Sequence, residues 1–370
     1  MNKQLIKSPT LLLDEEKCRN NIKKMVSKAA KHHLALRPHF KTHQSGIIGG
    51  WIKSEGVQRC TVSSVKMAEY FADQGWDDIL IAFPVNVLEH QKINQLAKNI
   101  TLQILVYDVL SLEALSEHID ATVGIKIELD LGSQRSGLLP SQHEEIGELL
   151  SLIGDHSHFE FTGFYSHPGH TYTARSKKEV EAIYQRFIPD LELLDQKYAD
   201  IPGYSITIGD TPGCTLVEDF GPIREISPGN FVFYDVMQVN IGSCNYDDIA
   251  VVMACPVVGK NAKRNEILIH GGAVHFSKEA LQDGDGKVHF GKLAKSTKDG
   301  WNGLINGCYL KSISQEHGLV HVTDEMLDNT NIGDILYIYP AHSCLTADLM
   351  KNYRTTENVS LSDDAAFMKL

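Results

Sequence analysis

Through most of the chain, short continuous apolar runs alternate with stretches in which apolar residues recur every three or four positions. The runs are Leu34–Leu36, Gln58–Val62, Asp78–Ala82, Leu102–Val106, Val123–Leu129, Phe159–Tyr165, Tyr204–Ile208 and a last one near Ile223–Val232. Runs of this length bounded by turn residues read as strands with both faces covered. Between them Val65–Ala72, Val87–Ala97, Leu110–His118, Gln142–Ile153 and Lys178–Tyr198 carry the helical period. Ahead of the first run, Pro9–Leu13 reads as a short strand and Asp14 as the cap of a helix. In that helix Cys18, Ile22, Met25, Val26 and Ala29 share one face, and Glu15 and Glu16 sit in the first turn, where the dipole favours them. Eight strand–helix units within about 220 residues fit a (β/α)8 barrel of the TIM type better than an open doubly wound sheet.

After Asn245 the texture changes. Ile249–Ala254, Glu266–His270 and Asp334–Tyr339 are strand-like runs separated by Gly, Asp and Lys turns, without amphipathic helices. The expectation is an α/β chain with a barrel over 14–244 and a mainly antiparallel β domain made of 1–13 with 245–370. The tail from Asn352 is polar and is expected to be partly mobile.

Composition narrows the classes. The 370 residues are 42% apolar, enough for a sizeable core, yet no run approaches the roughly 18 apolar residues of a membrane span. A formal charge of −12 and a pI near 5.8 argue against nucleic acid and anionic membranes as partners. The first residues lack an apolar signal region followed by small residues. Seven scattered cysteines, odd in number and without a CxxC pair, point to reduced thiols in a cytoplasmic protein.

In a barrel of this kind reactive side chains stand at the carboxyl ends of the strands. Past the first strand, Arg37-Pro38 breaks the ladder and Lys41 follows, between Phe40 and Thr42 and flanked by His39 and His43. Desolvation by the ring and nearby positive charge would both favour a neutral amine there, the nucleophile that forms an imine with an aldehyde cofactor. Taken alone, a lysine after a strand is ordinarily a solvated loop residue. After the fifth strand the turn Asp130–Gly137 carries Arg135, and after the sixth comes Tyr165-Ser-His167-Pro-Gly-His-Thr-Tyr172. The seventh leads into Gly209-Asp-Thr-Pro-Gly213, whose amides and Thr211 hydroxyl can hold a phosphate. In the β domain His342 and Cys344, two apart in an expected extended segment, can reach one ion. A nitrogen with a thiolate is a zinc pairing, with only two of the four ligands a closed structural site needs.

Together these motifs resemble the D-serine dehydratase/D-threonine aldolase family, pyridoxal phosphate enzymes of alanine racemase-like fold. The resemblance runs from Thr10 to about Thr346. It rests on PHFKTH at 38–43, GHTY at 169–172, IGDTPG at 208–213, EISPGNFVFYD at 225–235, SQEHG at 314–318 and PAHSC at 340–344. It implies that Lys41 holds the cofactor as an imine, with the phosphate at Gly209, Asp210 and Thr211. Arg135, Tyr165, His167, Tyr172 and Tyr234 would then surround the ring and substrate, and His342 and Cys344 would hold zinc or another divalent ion such as manganese. The aldolase branch usually has an aspartate at the second metal position, so Cys344 favours the dehydratase side. Ala341 departs from the asparagine common before the histidine. The expected activity is elimination of water from D-serine. D-threo-3-hydroxyaspartate dehydratase and D-threonine aldolase are the near alternatives, and a pyridoxal phosphate-binding protein without turnover is one from another class. A head-to-tail homodimer is implied as well.

Overall fold

The computed structural model describes residues 6–298 and 300–356. The chain forms two compact units. One contains residues 23–41 and 48–229, the other the residues up to Ile22, Thr42–Ile47 and those from Asn230 on.

In the first unit the described residues form a parallel sheet of eight strands, each paired with its neighbours in the chain. They are Ala35–Leu36, Cys60–Val62, Asp78–Pro84, Thr101–Val106, Val123–Glu128, Phe159–Ser166, Ser205–Ile208 and Glu225–Ile226. Ala35 lies opposite Glu225, which joins the first strand to the eighth. On its other side the first strand reaches the second through a parallel bridge from His39 to Thr61, with Phe40 N–H donating to the Thr61 carbonyl at 2.8 Å. The sheet therefore closes into the expected barrel. Side-chain caps start the helices between the strands. Ser64, Asp108 and Ser176 accept from Met67 N, Ser111 N and Glu179 N at 3.2, 2.8 and 3.2 Å. Gly163, at φ 112°, lets the sixth strand touch the seventh, since a Cβ there would stand 2.0 Å from the Ser205 carbonyl oxygen.

Two expectations for this part of the chain need correction. The eighth strand is only Glu225–Ile226, because Pro228 has no N–H for the ladder and Asn230–Val232 turns into a 3-10 helix. A helix at Gly46–Ser54 was not foreseen, since its glycines dilute the periodic signal.

The barrel unit also holds buried charge. Arg37 Nη1 meets Asp78 Oδ1 at 2.6 Å and its Nε stands 3.0 Å from Glu225 Oε1. Thr207 Oγ1 donates to Glu225 at 2.8 Å, and Lys126 Nζ to Ser205 Oγ at 2.8 Å. Burial pushes the Glu225 carboxyl up, but the Arg37 and Lys126 charges outweigh it and hold the group at about 2.

The second unit is a mostly antiparallel sheet. Its strand order is Glu266–His270, His317–His321, Trp301–Ile313, Gly291–Ser296, Ile335–Pro340, Val251–Asn261, Thr10–Leu13 and Arg354–Thr355. Val251–Asn261 also pairs with Glu266–His270, so the sheet curls back on itself. Helices do occur here, contrary to expectation, at Ala273–Phe276, Asp324–Asp328 and Ser343–Met350. Thr42–Ile47 folds with this unit because Gln44 Nε2 donates to Asp348 Oδ1 at 2.8 Å and Tyr353 Oη to the His43 carbonyl at 2.8 Å. The 14–244 boundary had assigned that segment to the barrel. In the tail expected to be mobile, Arg354 and Thr355 pair with Leu12 and Leu13. Residues 1–5 and 357–370 of the expected β domain lie outside the described residues. Among the described residues no helix is long and apolar enough to cross a membrane.

Candidate active site

Lys41 follows the first barrel strand. Its backbone N–H donates to His39 Nδ1 at 3.3 Å, and its side chain is exposed. The expected cover of Phe40 is not there. That ring turns into the core, edge-on to Phe71 and Trp76 at 4.7 and 4.9 Å. His43 folds with the strand-rich unit, where burial pushes its imidazole down to about 3.

The charge of Lys41 reaches His167, just past the end of the sixth strand. Burial, then the positive charges of Lys41 and Arg135, push this imidazole down to about 4. Its Nδ1 is hydrogen-bonded to the Gly209 carbonyl, so the neutral ring donates there and keeps its lone pair at Nε2. Tyr172 stands with its ring 6.0 Å from that of His167 and accepts from Thr211 N–H at 3.4 Å. Tyr165 is buried, which raises its phenol.

The Gly209–Gly213 loop is shaped by what it excludes. A Cβ on Gly209 would stand 2.5 Å from Tyr165 Oη, and one on Gly213 would stand 2.1 Å from Tyr184 Oη. Asp210 is fully buried and its carboxylate is committed to the loop. It accepts from Gly213 N at 2.7 Å, Thr171 Oγ1 at 2.8 Å and Tyr184 Oη at 2.6 Å. Burial nevertheless lifts it to about 6. What Asp210 offers a ligand is therefore its backbone rather than its charge. An exposed primary amine, a neutral imidazole and a cradle with no room for a side chain fit an aldehyde cofactor that carries a phosphate.

Arg135 reaches this end of the barrel on the turn after the fifth strand, 3.7 Å from Glu128 Oε1. Tyr234 is not brought together with these residues in the barrel unit. It lies in the other unit, on a left-handed backbone turn at φ 52°.

His342 and Cys344 do meet, though not on a strand. The strand ends at Pro340, His342 is the residue that starts the helix Ser343–Met350, and Cys344 lies in its first turn. The turn brings their side chains into hydrogen-bond contact. Burial opposes charge on both. Their mutual interaction overrides it, lowering the Cys344 thiol and raising the His342 imidazole to about 9. Thr42 Oγ1 lies 3.2 Å from the sulfur, and Asn230 Nδ2 donates to it at 3.4 Å. Asn230 is held in turn by Asp235 Oδ2 at 2.7 Å, which also accepts from Ser343 N at 2.9 Å. A half-buried cysteine with an imidazole beside it is a donor set that suits a divalent zinc-like ion.

Several contributors were invisible in the sequence. Tyr184 reaches Asp210 from another element and Glu128 meets Arg135 across a turn, and no local spacing marks either. Neither did spacing reveal His270, His275 and Glu316, whose ligand-capable atoms lie within 4.8 Å of one another. Gly272 N–H donates to His275 Nδ1 at 3.1 Å, which leaves that ring's proton on Nε2, the nitrogen facing Glu316. This cluster is thereby disposed to hydrogen bonding rather than to metal binding.

Residues 13–235 match the model of the alanine racemase N-terminal domain, and residues 250–356 that of a putative serine dehydratase domain. D-serine dehydratase of Dictyostelium discoideum is 28% identical over 387 residues, covering 95% of this chain and 94% of that one. D-threo-3-hydroxyaspartate dehydratase of Delftia sp. strain HT23 is 25% identical over 368 residues, covering 94% and 93%. A solved structure of the Delftia dehydratase superposes with a TM-score of 0.87 at 22% identity over 97% of each chain, a likeness of fold. Another solved structure of that dehydratase is of a variant in the metal-free form.

Proposed function

Because the chain belongs to the D-serine dehydratase and D-threonine aldolase family of alanine racemase-like enzymes, we propose that it is a lyase dependent on pyridoxal phosphate and a divalent metal. It eliminates water from a D-β-hydroxy amino acid, D-serine foremost, to give a 2-oxo acid and ammonia. The observation that carries elimination is the half-buried His342–Cys344 pair, a nitrogen–sulfur donor set that cofactor binding alone does not call for.

Pyridoxal phosphate, when bound, supplies an electron sink beside the substrate's α-carbon. The other roles belong to the chain. Lys41 would hold the cofactor through its amine, and its Nζ, when free, would be the base for the α-proton. His167, kept neutral, gives Lys41 a neighbour that accepts a proton instead of repelling one. Gly209, Thr211 and the backbone of Asp210 receive the phosphate. Tyr165, Tyr172 and Arg135 would line the ring and substrate. His342 and Cys344 hold the ion, whose Lewis acidity would suit a poor leaving group such as the β-hydroxyl. A homodimer in the cytoplasm belongs to the same reading, and sedimentation of the holoenzyme tests its subunit number.

The test is a product assay on holoenzyme with D-serine, D-threonine and D-threo-3-hydroxyaspartate. Pyruvate and ammonia from D-serine are expected, lost in K41A and reduced on the order of 100-fold or more by chelation or by C344A. Glycine and an aldehyde as products would move the activity to retro-aldol cleavage. Elimination at full rate by chelated enzyme would remove the metal from the account.

A further inference from the structure

We propose that Glu128 is a positioning residue that sets the guanidinium of Arg135 at the mouth of the barrel. This inference rests on the pyridoxal phosphate reading and gives the turn after the fifth strand its part in it.

The backbone on both sides of Arg135 is pinned. Leu138 N–H donates to the Glu128 carbonyl at 2.9 Å, and Asp130 N–H to the Leu138 carbonyl at 2.8 Å. Asp130 Oδ1 accepts from Gly132 N and Gln134 N at 2.8 and 3.0 Å, folding the turn over its own first residue. Gly137, at φ 100°, closes it where a Cβ would stand 2.7 Å from the Leu129 carbonyl carbon. The Arg135 side chain is the loose part. It is 57% exposed, and the charge that meets it is Glu128 Oε1 at 3.7 Å.

Glu128 is not placed as a fold-stabilising group would be. Its side chain is 3% exposed, and Oε1 accepts from Ser136 Oγ at 2.9 Å. Oε2 is buried and has no hydrogen-bond partner among the described residues. A carboxylate with an unsatisfied buried oxygen costs stability, so a hydrophobic or amide residue would serve the core better. The groups that share its surroundings are those of the site. Glu128 and Arg135 both act on the Tyr165 phenol, and Arg135 also acts on His167. A fixed guanidinium therefore gives the cofactor pocket a fixed field, whereas a free one would average out in solvent.

If Glu128 acts through Arg135, its effect must vanish when Arg135 is gone. The experiment is a double-mutant cycle of E128Q, R135A and the double variant. The readouts are the dissociation constant for pyridoxal phosphate, from fluorescence titration of each apoprotein, and the pH midpoint of the visible band of the loaded protein. E128Q is expected to weaken cofactor binding about fivefold, in keeping with a partly exposed charge pair, and to shift the midpoint. The double variant should match R135A in both. Equal effects of E128Q with and without Arg135 overturn the inference, as does an E128Q protein indistinguishable from wild type. If E128Q does not fold, E128D carries the same cycle, since it keeps the charge but withdraws it from Arg135. A wild type that takes up no pyridoxal phosphate overturns both this and the reading beneath it, whereas normal uptake with an additive cycle overturns this alone.

Discussion

His43 and His167 are imidazoles held neutral by burial, one in each compact unit, at about 3 and about 4. Both lie below the unfolded value near 6.5, so above that pH neither state carries the proton and nothing is lost. As pH falls from there towards 4, the unfolded chain takes up protons that the folded one refuses, and stability declines. At pH 5 the loss is about 2 kcal/mol per histidine. Urea midpoints measured at pH 7 and pH 5 check this, and equal midpoints would refute it. Lys41, Arg135, His167 and Thr211 were legible in the sequence because each follows a recognisable strand end. His342 and Cys344 were legible by spacing, but for the wrong reason: a helix start brings them together, not a strand. Phe40 misled, because a ring next to a lysine in sequence can pack the other way. Glu128 was missed because nothing within its own strand marks a glutamate that answers to an arginine across a turn.

Among elements, the barrel strands could be read because burial on both faces writes continuous apolar runs. The strand Trp301–Ile313 could not. It is half-exposed, and Gly303 and Gly307 at φ 51° and 78° break its alternation. The short helix Thr211–Leu216 is defined less by its own sequence than by the fit of Gly213 under Tyr184. Gly213→Ala should force Tyr184 away from Asp210 and cost on the order of 3 kcal/mol, with weaker pyridoxal phosphate binding. Gly147 provides the contrast, since it lies in the helix His143–Asp155 with nothing within 4 Å of an added Cβ. Gly147→Ala should stabilise by about 0.5–1 kcal/mol. Thermal melts of the two variants decide the matter, and a neutral Gly213→Ala would show that the loop yields more readily than its contacts suggest.

At the scale of the whole molecule, the barrel unit divides its labour between two groups of side chains. Lys41, Arg135 and His167 follow strand ends, while Arg37, Asp78, Lys126 and Glu225 form a charged cluster within the unit. Glu225→Gln would leave Arg37 and Lys126 with less compensation in a buried place and should cost about 3–5 kcal/mol. The surviving folded enzyme should keep its turnover per bound cofactor. A large loss of turnover at unchanged stability would contradict the division. The composition told of a core and an acidic chain, but not of this charged cluster, whose members lie far apart in the chain. In the other unit, Thr10–Leu13 is clasped between Val251–Ala254 on one side and Arg354–Thr355 on the other. Trimming the chain ahead of Arg354 would therefore bare one edge of this apolar strand. Such an edge is a template for sticking to other copies, so an affinity tag or fusion belongs beyond that clasp and never in place of it.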